Sequence, residues 1–248
     1  MCTLILAWQV FEGVPVVAAA NRDELLDRPA RPPAVLDDEL RIVAPRDEEA
    51  GGTWIGYNEA GVFVAITNRW ADADLAAERS RGLLVRDALR HESAEDAARH
   101  VERAVEADEY DGFNLVVADA NAAVLLEWDG RLRVRNLTPG VHVVVNVGAD
   151  GDYDVPETRP ERGREQATGA DEARRRLQPD PGEDHETWLD RATTVLGDHD
   201  VGLCVHADGY GTRSSSLIVV GEAGAVFRHS EGPACEADYE TVRGSDVV

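Results

Sequence analysis

The chain contains no lysine. All 25 basic residues are arginine, set against 48 aspartates and glutamates, for a formal net charge of −23. Proteins that grip nucleic-acid phosphates carry basic stripes, and the lack of any here excludes that partner class. The acidic residues are scattered and form no tail, the pattern of a hydrated surface adapted to a salt-rich cytoplasm, where screening relieves self-repulsion. Cysteine is scarce: Cys2, Cys204 and Cys235 are an odd number without a C-x-x-C pair, so neither a disulfide framework nor a zinc knuckle is indicated. The seven histidines lack ligand spacing, and no metal site is expected. No apolar run reaches the roughly 18 residues needed to span a bilayer. LILAWQVF and VPVVAAAN imitate a signal peptide, but no positive charge precedes them and Gln9, Glu12 and Gly13 interrupt them. The expected location is the cytoplasm.

At 248 residues and 43% hydrophobic, the chain can bury a large core, and without an internal repeat or clear linker it reads as one domain over residues 1–248. Residues 3–20 predict a β-hairpin split by Glu12-Gly13, with Asn21-Arg22-Asp23-Glu24 at the far end of its second strand. Pro32 and Pro33 mark an irregular surface stretch. Residues 51–68 read as strand, turn, strand. Residues 80–108 carry two helical segments, the second capped by Ser93 with Asp96. Strands return over residues 113–146, with Asp129-Gly130 as a hairpin turn. Residues 157–197 are helical and charged, and GLCVH, RSSSLIVVG and AVFRH close the chain as strands, with Cys204 buried in the first. This order favours antiparallel sheets with helices on their outer faces over a βαβ arrangement.

Cys2 follows the initiator methionine. Cysteine is small enough to permit methionine removal, after which the chain begins with a thiol and a free α-amine on one residue. The thiol titrates near ~8.5 and the amine near ~7.7–8.0, so the amine can act as base for its own side chain. Polar groups stand where strands end: Asn21, Arg22 and Asp23; Asn68; Asn146; and residues 210–215, with Arg213 among them. An asparagine amide can hold an oxyanion, an aspartate can orient an amine, and an arginine can bind a carboxylate or lower a thiol's pKa. Trp54, after the paired glycines Gly51 and Gly52, supplies an apolar wall beside a pocket. His206 is a further candidate partner for Cys2.

Cys2, NRDE at 21–24, GGTWIG at 51–56, TN at 67–68, GFNL at 112–115 and YGTRSS at 210–215 resemble, in order, the NRDE family, also called the transport and Golgi organization 2 family. The resemblance implies an N-terminal-nucleophile hydrolase fold, an α+β, four-layer αββα sandwich of two mainly antiparallel sheets. More remotely, the layout is similar to choloylglycine hydrolase and penicillin V acylase, which cleave amides with a processed N-terminal cysteine. On that resemblance the catalytic set is Cys2 as nucleophile, Asp23 orienting its amine, Asn146 in the oxyanion hole and Arg213 as the active-site arginine. The substrate-side residues are Asn21, Arg22, Asn68, Trp54 and Asn114. Arg22 and Asp23 are adjacent here, whereas the remote group spaces its arginine and aspartate three apart, so which of Asn21, Arg22 and Asp23 faces the thiol stays open. The expected activity is hydrolysis of a C–N bond in a small linear or acyl amide, without a cofactor. The alternative is a non-catalytic carrier holding haem or an acyl or lipid ligand in the same cleft. Either way the partner is a small molecule, and the sequence gives no oligomeric state.

Overall fold

A computed structural model describes residues 2–36, 40–236 and 238–246. In chain order the strands and helices are β1 (Thr3–Phe11), β2 (Val14–Leu25), β3 (Ala30–Leu36), β4 (Ile42–Asp47), β5 (Ile55–Asn58), β6 (Phe63–Asn68), α1 (Arg81–Ala88) and α2 (Ala94–Ala107). Then come β7 (Phe113–Ala118), β8 (Ala123–Trp128), β9 (Leu132–Asn136), β10 (Gly140–Val145), β11 (Gly148–Ala149), β12 (Asp152–Tyr153), α3 (Pro160–Arg176) and α4 (His185–Gly197). The chain closes with β13 (His206–Ala207), β14 (Tyr210–Gly221), β15 (Gly224–Glu231) and β16 (Glu240–Thr241).

One antiparallel sheet runs β12-β11-β10-β1-β2-β14-β15-β16, with β13 beside β14; the other runs β3-β4-β5-β6-β7-β8-β9. Side-chain alternation assigns the layers. Leu4, Leu6 and Trp8 of β1 and Val16 and Ala18 of β2 pack against Val43, Tyr57, Phe63 and Val116 of the second sheet. The intervening Ile5, Ala7, Val17 and Ala19 meet Ala170 and Ala173 of α3 and Trp188, Leu189 and Ala192 of α4. On the far side, Val62, Val64, Leu115 and Val117 meet Leu84 and Val85 of α1 and Ala97 and Val101 of α2. Three cores therefore separate four layers in the order α, β, β, α, as the resemblance implied. Among the described residues no helix is long and apolar enough to cross a membrane.

The predicted hairpins and helices form largely as read. Ser93 caps α2, its hydroxyl accepting from the Asp96 amide at 3.1 Å. Two stretches differ. Pro32 and Pro33 lie inside a strand, because among the described residues β3 pairs only with β4 and its register slips between Arg31 and Ala34, so the missing donors break no central ladder. The GLCVH segment is strand only from His206; Cys204 is buried, but in a loop. Its carbonyl and amide neighbours bond across to β14 through Thr212, in place of a continuous ladder.

The paired glycines have distinct reasons. Gly51 has φ +71°, and a Cβ on Gly52 would lie 2.1 Å from the Gly82 carbonyl carbon. Backbone thus rests on backbone where this loop meets the start of α1, and the Thr53 amide donates to the Gly82 carbonyl at 3.0 Å. Gly52→Ala should push the loop off the helix and cost about 1–3 kcal/mol, read as a lowered urea midpoint. An unchanged midpoint would mean that the two segments are not held in contact.

Candidate active site

Register brings the site together. In the first sheet Leu4 pairs with Val144 and Thr3 with Asn21, so the ends of β10, β1 and β2 present Asn146, Cys2 and Arg22 side by side. On the next strand, Thr212 lies opposite Asp23. Residues 2, 23, 146 and 212 are far apart in sequence and meet only because four neighbouring strands end together.

The Cys2 main-chain nitrogen donates to Asn146 Oδ1 at 3.1 Å, and the Cys2 thiol lies 3.7 Å from the Asp23 carbonyl. Asn146 is 1% exposed. Its Nδ2 donates to the Asn68 carbonyl at 2.6 Å, tying the two sheets together, while Gln166 Nε2 from α3 donates to its Oδ1 at 2.8 Å. Asp23 is 3% exposed, and its Oδ1 accepts from the Thr212 hydroxyl at 2.6 Å. The Tyr210 hydroxyl donates to the Asp23 carbonyl at 3.2 Å.

Electrostatics follow from burial. Desolvation pushes the Asp23 carboxyl up to about 7, well above its ordinary 3.8. Burial, followed by the nearby Asp23 charge, raises the Cys2 thiol. Burial also raises the Tyr210 phenol, with the Cys2 and Asp23 charges adding to it. A thiol in this setting rests protonated and needs a base to become a nucleophile.

The cleft over Cys2 has a volume of about 110 Å³. Trp54 and Ile66 form an apolar wall, Asn68 lies on the second-sheet side, and Ser80 and Arg81 bring the start of α1. The Arg22 guanidinium stacks over the Trp54 ring at 4.2 Å and lies 3.7 Å from both Glu24 and Asp47. Arg28 binds Asp47 at 2.9 Å. Among the described residues no histidine lines this cleft or the small hollow behind it. A larger depression of about 660 Å³ between β3 and the C-terminal strands has no residue in common with the Cys2 cleft.

Of the residues singled out in the sequence, Cys2, Asp23 and Asn146 are in direct contact, and Arg22, Trp54 and Asn68 line the cleft over them. The other four stand elsewhere. Asn21 points to the helical side, donating to the Leu196 and Leu203 carbonyls and accepting from Ser215. Asn114 sits behind the site, donating to the Val145 carbonyl and Thr67, so it ties together the strands that end in Asn146 and Asn68. Arg213 occupies a register shift between β14 and β2, donates to the Leu26 carbonyl at 2.6 Å, and lines a neighbouring hollow that shares Arg22 and Trp54 as walls. His206 lies with Cys204 and Cys235, and not with Cys2. Thr212 and Gln166 were missed. Thr212 lies within a motif already noted, but Gln166, in a polar helix, has no sequence signal.

Known proteins share this architecture. A penicillin V acylase from Agrobacterium tumefaciens superposes with a TM-score of 0.60 at 14% identity, covering 99% of this chain and 88% of the acylase. A Caenorhabditis elegans N-acylethanolamine-hydrolyzing acid amidase ortholog gives 0.60 at 15% identity, covering 89% and 93%. A mutant conjugated bile acid hydrolase from Clostridium perfringens gives 0.57 at 11%, covering 98% and 97%. Among relatives by sequence, the Bos taurus transport and Golgi organization protein 2 homolog is 28% identical over 238 residues, 85% of this chain and 84% of the relative. The Homo sapiens homolog is 32% identical over 112 residues, 44% of this chain and 40% of the relative. The structural likenesses establish the fold of N-terminal-nucleophile acylases. With the Transport and Golgi organisation 2 description matching residues 1–231, and with its motifs running in order along that same span, the chain belongs to this family.

Proposed function

We propose that removal of Met1 converts Cys2 into an N-terminal nucleophile that hydrolyses the C–N bond of a small acyl amide. The reading rests on one contact above all: the Cys2 nitrogen held at 3.1 Å by Asn146 Oδ1, at the floor of a cleft. In the full chain that nitrogen is a peptide amide with no basicity, and among the described residues no histidine lines the cleft to replace it. Freed, it is an amine next to a raised thiol and the Asp23 carboxyl, and it can take the thiol proton.

The thiolate then attacks the amide carbonyl. One Asn146 N–H is engaged by Asn68, and an amide carries two, so the second is the donor assigned to the oxyanion. Collapse expels the amine, which takes its proton from the Cys2 ammonium, and water cleaves the resulting thioester. Overall, amide and water give acid and amine. The small cleft suits a short acyl group, with Trp54 and Ile66 as its apolar wall and Arg22, Arg28 and Arg81 to meet polar or anionic parts of the substrate. The TM-scores speak for the fold alone; the chemistry is argued from the site.

Intact-mass analysis joined to acylation by p-nitrophenyl acetate tests this reading. Protein without Met1 should gain one acetyl group on the N-terminal peptide, and Cys2→Ala should gain none there. Retention of Met1, or equal labelling of Cys2→Ala, would leave the carrier of a haem, acyl or lipid ligand as the better account.

A further inference from the structure

A second cluster of chemistry-bearing side chains lies outside the cleft. His199 follows α4, Cys204 and His206 flank the start of β13, and Cys235 belongs to a short 3₁₀ turn at Ala234–Glu236. Each offers one ligand atom, and all four atoms lie within 4.8 Å of one another. His206 Nε2 is 3.5 Å from Cys204 Sγ and 3.2 Å from Cys235 Sγ, and the His199 and His206 rings meet edge-on at 5.1 Å between centroids.

We propose that His199, Cys204, His206 and Cys235 form a tetrahedral Cys2His2 site for zinc or a similar thiophilic divalent cation. A tetrahedral ion with bonds of about 2.0–2.3 Å sets neighbouring ligand atoms about 3.3–3.8 Å apart, the range in which His206 and the two sulfurs already stand. The remaining pairs, all within 4.8 Å, need to close by about 1.5 Å at most. Two thiolates with two imidazoles are the donor set of closed structural zinc sites. A disulfide between the two cysteines would leave the convergence of both histidines without a reason. The sequence hides this set, because its ligands come from three segments and only Cys204 and His206 are near neighbours.

The site would act as a staple. It joins the loop after α4 to the C-terminal turn, which already touch: a Cβ on Gly197 would lie 3.0 Å from the Cys235 Cα. The stapled loop also carries two supports of the Cys2 cleft. Asn21 bonds the Leu196 and Leu203 carbonyls, and Val205 exchanges bonds with Thr212, whose hydroxyl meets Asp23. Three of the four ligands are exposed and Cys204 is buried, so an ion can enter from solvent. The proposal does not depend on Cys2 being a nucleophile.

The test is titration of the metal-free, reduced full chain with Co²⁺ and Zn²⁺, read by metal content and by thiolate-to-cobalt charge-transfer and tetrahedral ligand-field absorption. About one ion per chain is expected. His206→Gln and His199→Gln, at exposed positions that should fold normally by circular dichroism, should weaken binding by about 10-fold or more. Cys204→Ser with Cys235→Ser should abolish the charge-transfer band, and Cys2→Ala should leave it intact. No stoichiometric uptake would overturn the proposal, as would uptake indifferent to His206→Gln. So would a Cys204–Cys235 peptide pair two hydrogens too light that dithiothreitol restores, which would make the cluster a disulfide.

Discussion

Asn146→Ala is expected to slow acetyl transfer from p-nitrophenyl acetate to Cys2 by about 10²–10³-fold, the usual loss when one oxyanion donor is removed. Asn146 accepts from the Cys2 nitrogen and from Gln166, and donates to the Asn68 carbonyl. Alanine removes all three contacts, so position and charge stabilisation fall together. Asn146→Asp separates them. A carboxylate still accepts from Cys2 and Gln166 but has no N–H for a developing oxyanion. Its rate should therefore fall nearly as far as that of the alanine variant, while its Cys2 nitrogen stays tethered. Acetylation progress curves, compared at matched thermal stability, check both. A wild-type rate in Asn146→Asp would remove Asn146 from the oxyanion hole and leave it a purely orienting residue.

The architecture was legible because the β1–β2 hairpin is written in two apolar runs split by Glu12-Gly13, and its register carries Cys2 to the NRDE stretch without further instruction. Cys2, Asp23 and Asn146 were legible for the same reason: each ends an apolar strand, and central strands of one sheet end together. Arg213 lies in the hollow beside the Cys2 cleft, and Thr212 meets Asp23, because of a register shift that no sequence rule announces. Gln166 was illegible because helix α3 is polar almost throughout, and one buried glutamine looks like its exposed neighbours until the helix is docked. The edge strand β3 was hidden by its prolines, which forbid a central position but not a peripheral one. Sequence spacing reveals side chains that meet within one element or across one turn. Contacts made by packing α3 and the post-α4 loop onto a sheet lie beyond it.

Asp23→Asn should make the protein more stable at pH 8 and change it little at pH 4. Asp23 is almost wholly buried, and desolvation lifts its carboxyl from 3.8 to about 7. Between those values the folded chain holds a proton that the unfolded chain has released. Stability therefore falls as pH rises through this window and levels off above about 7. A rise of about 3 units corresponds to roughly 4 kcal/mol of lost stability once the carboxyl is ionised in both states. Asparagine keeps an oxygen for the Thr212 hydroxyl but carries no charge, so it escapes the loss. Subtracting urea-derived stabilities of variant and parent from pH 4 to 8 isolates Asp23 from the many surface carboxylates, which titrate alike in both. The difference should grow through the window and then stay constant; parallel curves would show that Asp23 ionises without cost.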